Sequence, residues 1–253
     1  MKASNVFKGH YCYKSDIGKV RIANEDEAKV VVNSNGNVLL VVADGMGGHN
    51  KGDYASFETV RIITEAFKNQ KYFLNTFFAA SWIKRVVKVA NSTIYKTQDK
   101  DVPYKGMGTT LSLVLIIKKK IIVVNCGDSR VYIKKSEGNL VQLTEDQTYV
   151  NFLVKSGQIS KEEALVHPER HVLTNAIGLF PSISMNVNIY EYHGESLVLC
   201  TDGLYNNVSE RDILNTLNLN TSVEDKCGSL ISLANFNGGS DNITLCLWET
   251  LND

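Results

Sequence analysis

The sequence has no apolar run of membrane-spanning length, no signal-peptide pattern and no thiol-rich metal module. Its longest apolar runs, Leu111–Ile117 and Ile121–Val124, fall far short of the roughly 20 residues a spanning helix needs, and Lys118, Lys119 and Lys120 separate them. They are expected to be two buried strands of a hairpin. The N-terminus lacks the charged, apolar and small-residue succession of a signal peptide, so the expected location is the cytoplasm. Cys12, Cys126, Cys200, Cys227 and Cys246 form no Cys-x-x-Cys pair. That favours buried free thiols in a reducing compartment over a disulfide framework or a zinc site. The histidines offer no metal-binding pair either: His167 and His171 are four apart, but Pro168 between them breaks the helix such a pair requires.

Charge of either sign is not in excess. Lys plus Arg and Asp plus Glu number 27 each, so no bulk electrostatic pull draws the 253-residue chain to nucleic acid or a membrane. Neither low-complexity segments nor a composition break marking a linker is present. One domain over residues 1–253 is therefore expected; a monomer is the expected state, although nothing in the composition fixes it.

Hydrophobic periodicity supplies the elements. Ala28–Val32 and Val38–Ala43 read as strands around the turn-rich Asn33-Ser34-Asn35-Gly36-Asn37. Phe57, Val60, Ile63 and Phe67 recur at helical spacing, as do Phe78, Trp82, Val86 and Val89, and core packing is expected for all eight. Thr109–Ile117, Ile121–Cys126, Arg130–Lys134 and Leu140–Leu143 read as an antiparallel meander. A polar, weakly helical excursion follows at about 149–171, with Ser160-Lys161-Glu162-Glu163 as a capping box. Strands at Ile183–Tyr190 and Ser196–Thr201, helices at Glu210–Leu217 and Ser222–Asn235, and a closing strand at Asn242–Glu249 complete the chain. Val223, Cys227, Leu230 and Ala234 form the apolar stripe of the last helix. Helices in blocks between blocks of strands indicate an α+β fold and argue against a doubly wound parallel sheet.

Acidic residues stand at strand ends beside glycines: Asn24-Glu25-Asp26, Asp44-Gly45-Met46-Gly47-Gly48-His49, Gly127-Asp128-Ser129-Arg130, Thr201-Asp202-Gly203 and Ser240-Asp241-Asn242. An Asp directly after Val38–Ala43 emerges where the strand leaves the core, and the glycines let the backbone turn sharply. Grouped carboxylates repel one another unless a cation compensates. Oxygen ligands without clustered cysteine or histidine select magnesium, manganese or calcium. Two such ions about 3.5–4 Å apart hold a phosphoryl group and activate water for in-line attack, and Arg21 is placed to clamp phosphate oxygens.

Each Asp-Gly pair alone is more often a turn, but the ordered set resembles the type 2C (PPM) family of metal-dependent serine/threonine protein phosphatases in its bacterial form. The blocks carrying the resemblance are Ser15–Asp26, Val41–His49, Gly106–Thr110, Asn125–Arg130, Leu143–Asp146, Thr201–Leu204 and Gly239–Asn242, in the family's order over almost the whole chain. The resemblance implies a central antiparallel β-sandwich flanked by pairs of helices, with metals at one end. It implies that Asp44 bridges two Mn2+ or Mg2+ ions, with the Gly45 carbonyl and Glu25 on one ion and Asp202 and Asp241 on the other. Asp26 would act from the outer shell through water, and Asp128 with Asp202 would hold a weaker third ion. Arg21 is similar to the family's phosphate-binding arginine. The excursion looks like the family's flap, with Gln158, Ser160 and Lys161 exposed for substrate contact. Phosphoprotein substrates and an opposing serine/threonine kinase are the implied partners.

Two positions depart from the family pattern. Met46 stands where animal relatives have a histidine proposed as general acid, and Gln147 replaces the histidine of an Asp-His-Ser block. Gln147 does not titrate near neutrality, so a proton-transfer role there is absent. A domain that binds phosphoproteins without turnover, or a regulator dedicated to one phosphoprotein, remains open at this stage. The first is usually marked by a lost ligand, whereas Glu25, Asp44, Asp128, Asp202 and Asp241 are all acidic.

Overall fold

The computed structural model describes residues 7–47, 51–99 and 102–251. Gly48 and His49, the end of one acidic block, lie outside the described residues. Strands β1 (Gly9–Asp16), β2 (Asp26–Val32) and β3 (Val38–Met46) are followed by helices α1 (Gly52–Asn69) and α2 (Thr76–Thr97). Then come β4 (Gly108–Thr109), β5 (Leu111–Ile117), β6 (Lys120–Cys126), β7 (Arg130–Lys134) and β8 (Leu140–Gln142). Helices α3 (Tyr149–Lys155) and α4 (Lys161–Val166) form the excursion. The chain closes with β9 (Asn186–Glu191), β10 (Ser196–Cys200), α5 (Asp202–Tyr205), α6 (Glu210–Leu217), α7 (Val223–Phe236) and β11 (Ile243–Thr250).

The strands make two antiparallel sheets, β1-β11-β10-β7-β8 and β2-β3-β5-β6-β9, with β4 paired to the end of β3. Side chains alternate across a strand, so each sheet has an inner and an outer face. Val30, Leu40, Val42, Val131, Leu199 and Trp248 fill the space between the sheets. Leu39, Val41, Leu113 and Leu115 meet Val60, Ile63, Phe67, Ile83 and Val87 of α1 and α2 on one outer face. Val198, Leu245 and Leu247 meet Ile213, Cys227 and Leu230 of α6 and α7 on the other. The result is four layers, α-β-β-α. Every residue of Val38–Ala43 is buried because both its faces are covered, and each of its valine and leucine side chains contributes roughly 1.5–3 kcal/mol.

Several expectations need correction. β5 and β6 form the expected hairpin, with Lys118 at φ 53° in its turn. The strands after it are not one meander, because the chain crosses to the other sheet between β6 and β7. The helix stripes are also displaced. Phe57, Phe78 and Val89 are exposed, while α2 buries Ala79, Ile83, Val87, Ala90 and Ile94. The buried stripe of α2 includes the small residues Ala79, Ala80 and Ala90, which carry little hydrophobic signal. β1 and α5 have no periodicity signal: β1 buries only Cys12 and α5 is a single turn. All five cysteines are free and buried, and the Val223, Cys227, Leu230 and Ala234 stripe is buried as expected.

Candidate metal centre

Both sheets deliver carboxylates to one end of the sandwich. β3 runs past the core as far as Met46, so Asp44 sits within the strand, opposite Asp26 of β2. Its backbone is tied on the far side: the Asp44 N–H donates to Thr110 Oγ1 at 2.9 Å, and the Asp44 carbonyl accepts from the Thr110 N–H at 2.8 Å and the Thr109 hydroxyl at 2.9 Å. Thr110 in turn bonds the Ser129 hydroxyl at 2.7 Å, beside Asp128. Asp202 opens α5 directly after β10. Asp241 precedes β11, where the Asn242 side chain accepts from the Glu25 N–H at 2.9 Å and donates to the carbonyls of Ile17 and Ala23. One buried asparagine thus ties the Glu25 and Arg21 segments to the Asp241 turn.

Glycine is required where α1 begins. A side chain on Gly45 would run into the backbone of Gly52 and Glu25, and one on Gly52 would lie 2.9 Å from the Glu25 carboxylate. The Ser56 hydroxyl also donates to the Glu25 carbonyl. This contact sets the start of α1 against the acidic end of the sandwich.

These residues line a cavity of about 970 Å³, whose wall includes Arg21, Glu25, Asp44, Gly45, Asp128, Asp202 and Asp241. The charges are not free of strain. Burial, followed by the charges of Asp26, Asp202, Asp128 and Asp241, holds Asp44 well above the ordinary carboxylate range. Burial and Asp202 push Asp128 up to about 7. Burial and Asp241 push Asp202 up to about 6. Glu25 is raised as well, by burial and then Asp53. Arg21 Nη2 donates to Asp241 Oδ2 at 2.8 Å, and its guanidinium is raised by that bond.

Asp26 is off the cavity wall and buried. Its Oδ2 accepts from the Thr201 hydroxyl at 2.8 Å, and burial pushes it up to about 7 against the hydrogen bonds of Thr201 and Thr244. The donor set is hard oxygen throughout, with an excess of negative charge that a divalent cation relieves, so in kind it fits manganese or magnesium. It is not a closed cage. Among the described residues no three histidine, cysteine, aspartate or glutamate side chains converge on one point. Arg21 holds Asp241 to one side, and the Asn206 amide holds Asp202 at 3.2 Å.

The flap forms the opposite wall. Ser160 caps α4 in a capping box with Glu163, as the sequence indicates. Of the three flap residues expected to face substrate, Lys161 lines a cavity. This is a groove of about 580 Å³ between flap and sandwich, which adjoins the acidic cavity through Asp128, Leu165, Arg170, His171 and Asn206. Gln158 is exposed and bonded to Ser156, and Ser160 is occupied as a cap.

Sequence reasoning missed Arg170 and His171, which line both spaces. The available signal was the His167–His171 spacing, set aside because of Pro168. In fact only His171 faces the cavity, while His167 Nδ1 accepts the Glu169 N–H within the turn. Burial, then Arg170, lowers the His171 imidazole. Gln147 is structural: its side-chain oxygen accepts from the Gly127 N–H at 3.1 Å and from the Asn175 amide at 2.7 Å. This fixes the turn at Gly127, φ 98°, that leads into Asp128. Arg130 chelates Asp146 with three hydrogen bonds and stacks 3.6 Å over Tyr205, whose hydroxyl donates to the Asp128 carbonyl.

The protein phosphatase 2C family model matches residues 19–236 of this chain. Over 241 residues the chain is 35% identical to the serine/threonine phosphatase stp of Listeria welshimeri, with 95% of each chain covered. The S. agalactiae serine/threonine phosphatase structure gives a TM-score of 0.91 at 35% identity, covering 96% of this chain and 100% of that one. The catalytic domain of the phosphatase PstP, in complex with two manganese ions, gives 0.82 at 31% identity, covering 96% and 99%.

Proposed function

The chain belongs to the protein phosphatase 2C family and is a metal-dependent protein-serine/threonine phosphatase, and we propose that its five cavity carboxylates, with Gly45, form the metal centre. In this reading Asp44 would serve both ions. The Gly45 carbonyl and Glu25 would complete one site, and Asp202 and Asp241 the other. Asp128 with Asp202 would hold a weaker third ion, and Asp26 would act from the outer shell through water. When bound, the ions let the carboxylates ionise together and make a water acidic enough to attack phosphorus near neutral pH.

The chain's own residues do the rest. Thr109, Thr110 and Asn242 hold the strand ends so that Asp44, Glu25 and Asp241 face one space. Arg21, half exposed on the rim, exchanges its hydrogen bond to Asp241 for one to the substrate phosphate, replacing one anion by another within the same reach. Met46 and Gln147 supply no titratable proton, and burial with Arg170 disfavours the protonated form of His171. In this reading the proton for the leaving alkoxide comes from water or from another group at the cavity.

The substrates are phosphoserine and phosphothreonine side chains of proteins. We assign the whole chain one catalytic domain, working as a cytoplasmic monomer against a serine/threonine kinase in the same cell. Among the described residues no helix is long and apolar enough to cross a membrane.

The observation that carries the assignment of the site is the meeting of Glu25, Asp44, Asp128, Asp202 and Asp241, from five separate segments, with Arg21 on one cavity wall. The test is release of phosphate from a phosphothreonine peptide by the purified protein with chelator, magnesium, manganese or calcium, beside Asp44→Asn. Activity restored by manganese or magnesium and lost in the variant supports it. Full metal-dependent activity in Asp44→Asn overturns it.

A further inference from the structure

A chain whose charges balance to zero contains a 33-residue segment with six charges of a single sign. From Ala66 to Gln98 there is no acidic residue, and Lys68, Lys71, Lys84, Arg85, Lys88 and Lys96 give the segment six positive charges. All six are exposed, and the ion pairs among the described residues use none of them. The segment is the end of α1, its connection to α2, and α2 itself.

The same segment exposes large apolar side chains at its tip. Tyr72 is 71% exposed, Leu74 66%, Phe77 72% and Phe78 52%. Their exposure is built in. Phe73, between Tyr72 and Leu74, is buried and packs edge-on against Trp82 with ring centroids 5.2 Å apart. The Asn33 amide donates to the Gln70 carbonyl, and the Gln70 side chain donates to the Tyr72 carbonyl. The loop is therefore pinned with Phe73 inward and its two neighbours outward. Phe77 and Phe78 follow in the first turn of α2, whose Asn75 cap accepts from the Phe78 N–H.

Charge and apolar surface share one face. Helical residues seven and eleven apart lie on the same side, so Phe77 aligns with Lys84 and Lys88, and Phe78 with Arg85 and the exposed Val89. Lys71 and Arg85 line one groove of about 340 Å³ with Tyr72, Leu74 and Phe78. The arrangement is an apolar tip with cations set back along the helix. Aromatic rings favour the headgroup region of a bilayer, and long basic side chains reach from there to lipid phosphates. Apolar insertion combined with a polybasic patch is the pair of signals that peripheral anchoring requires.

We propose that the α1–α2 hairpin tip docks the enzyme reversibly onto an anionic lipid surface, through insertion of Tyr72, Leu74, Phe77 and Phe78 and attraction of the surrounding lysines and Arg85 to lipid phosphate. α1 starts against Gly45 and Glu25 at the acidic cavity and runs 18 residues away from it, about 27 Å at 1.5 Å per residue. Docking at its far end leaves the cavity open to phosphoproteins at the membrane face. This inference is independent of the metal assignment, because it uses none of the cavity residues.

The test is co-sedimentation of the full chain with vesicles of phosphatidylglycerol and phosphatidylcholine in equal parts, and with pure phosphatidylcholine. Lys71→Glu/Arg85→Glu and Leu74→Ser/Phe77→Ser are run beside the parent, and phosphate release from a peptide reports that each variant is folded. The expected result is salt-sensitive partition onto the phosphatidylglycerol vesicles only. It should weaken roughly tenfold or more in the charge variant, at about 1 kcal/mol per basic residue removed, and also fall in the apolar variant, with peptide turnover unchanged. No partition, equal partition onto pure phosphatidylcholine, or partition that both variants retain overturns the proposal. Capture by an acidic polyglutamate peptide without vesicle binding also overturns it and reassigns the patch to a protein partner.

Discussion

The two walls of the acidic cavity are built by opposite means. On the sandwich side every catalytic candidate leaves a strand end or a turn tied by buried hydrogen bonds: Asp44 to Thr110, Glu25 to Asn242, Asp26 to Thr201, and Asp128 through Ser129 and the Gly127 turn. On the flap side α4 buries no residue, and Leu165 and Val166 stand largely exposed. The first wall spends hydrophobic stability on holding mutually repelling carboxylates in place. The second holds little and is free to vary with substrate. The first should therefore set the chemical rate, and the second the choice of peptide.

The largest effect should come from the sandwich wall. Asp44→Asn is expected to lower metal-dependent kcat by about 10³-fold or more, on the order of 4 kcal/mol at 1.36 kcal/mol per decade. The same change should raise the Tm of the metal-free protein, because it removes a buried, repelled carboxylate. A variant that loses both activity and fold would break the distinction between functional and structural acid.

Arg21→Ala should cost about 10- to 100-fold in kcat/KM, mostly through substrate binding. Arg21→Lys should recover part of this, since a lysine keeps the charge without the two-pronged geometry. Steady-state kinetics on a phosphothreonine peptide reads both.

pH sharpens the contrast further. The folded values of Asp26 and Asp128, at about 7, and of Asp202, at about 6, lie above the ordinary aspartate value. Between about pH 4 and 7 the folded chain therefore binds more protons than the unfolded one, and metal-free stability falls as pH rises through that window. Thermal melts in chelator should show a lower Tm at pH 7.5 than at pH 5.5, with a flatter slope in Asp44→Asn. Manganese should raise Tm more at the higher pH, where its ligands ionise at less cost.

Gln147→Ala removes the acceptor of two hydrogen bonds at the Gly127 turn. It should destabilise by about 1–3 kcal/mol while leaving the pH profile of kcat unchanged. Changes on the flap should be smallest. Lys161→Ala is expected to shift KM for a phosphopeptide by about threefold or less, in keeping with a partly solvated charge, and to leave turnover of a small aryl phosphate untouched.

How much was legible beforehand follows the same division. Strand-end acids beside glycines could be read because a strand buried on both faces, such as Val38–Ala43, must expose whatever follows it. The acidic cavity wall follows from that pattern, whereas the α-β-β-α layering was implied by the family resemblance, the element blocks giving only an α+β domain. β1 was invisible because its outer residues face solvent and only Cys12 is buried. The buried face of α2 differs from the expected one because it runs through Ala79, Ala80 and Ala90, which carry little hydrophobic signal, while Phe78 and Val89 face outward. Arg170 and His171 were missed because their place on the cavity comes from the fold of an exposed excursion and not from any periodicity of their own.

Calorimetric titration of manganese into the metal-free protein at pH 7.5, beside Asp44→Asn, tests the two-ion centre most directly. The account predicts two strong sites and a weaker third in the parent, with both strong sites lost together in Asp44→Asn because one carboxylate bridges them. Two strong sites surviving in the variant would contradict it.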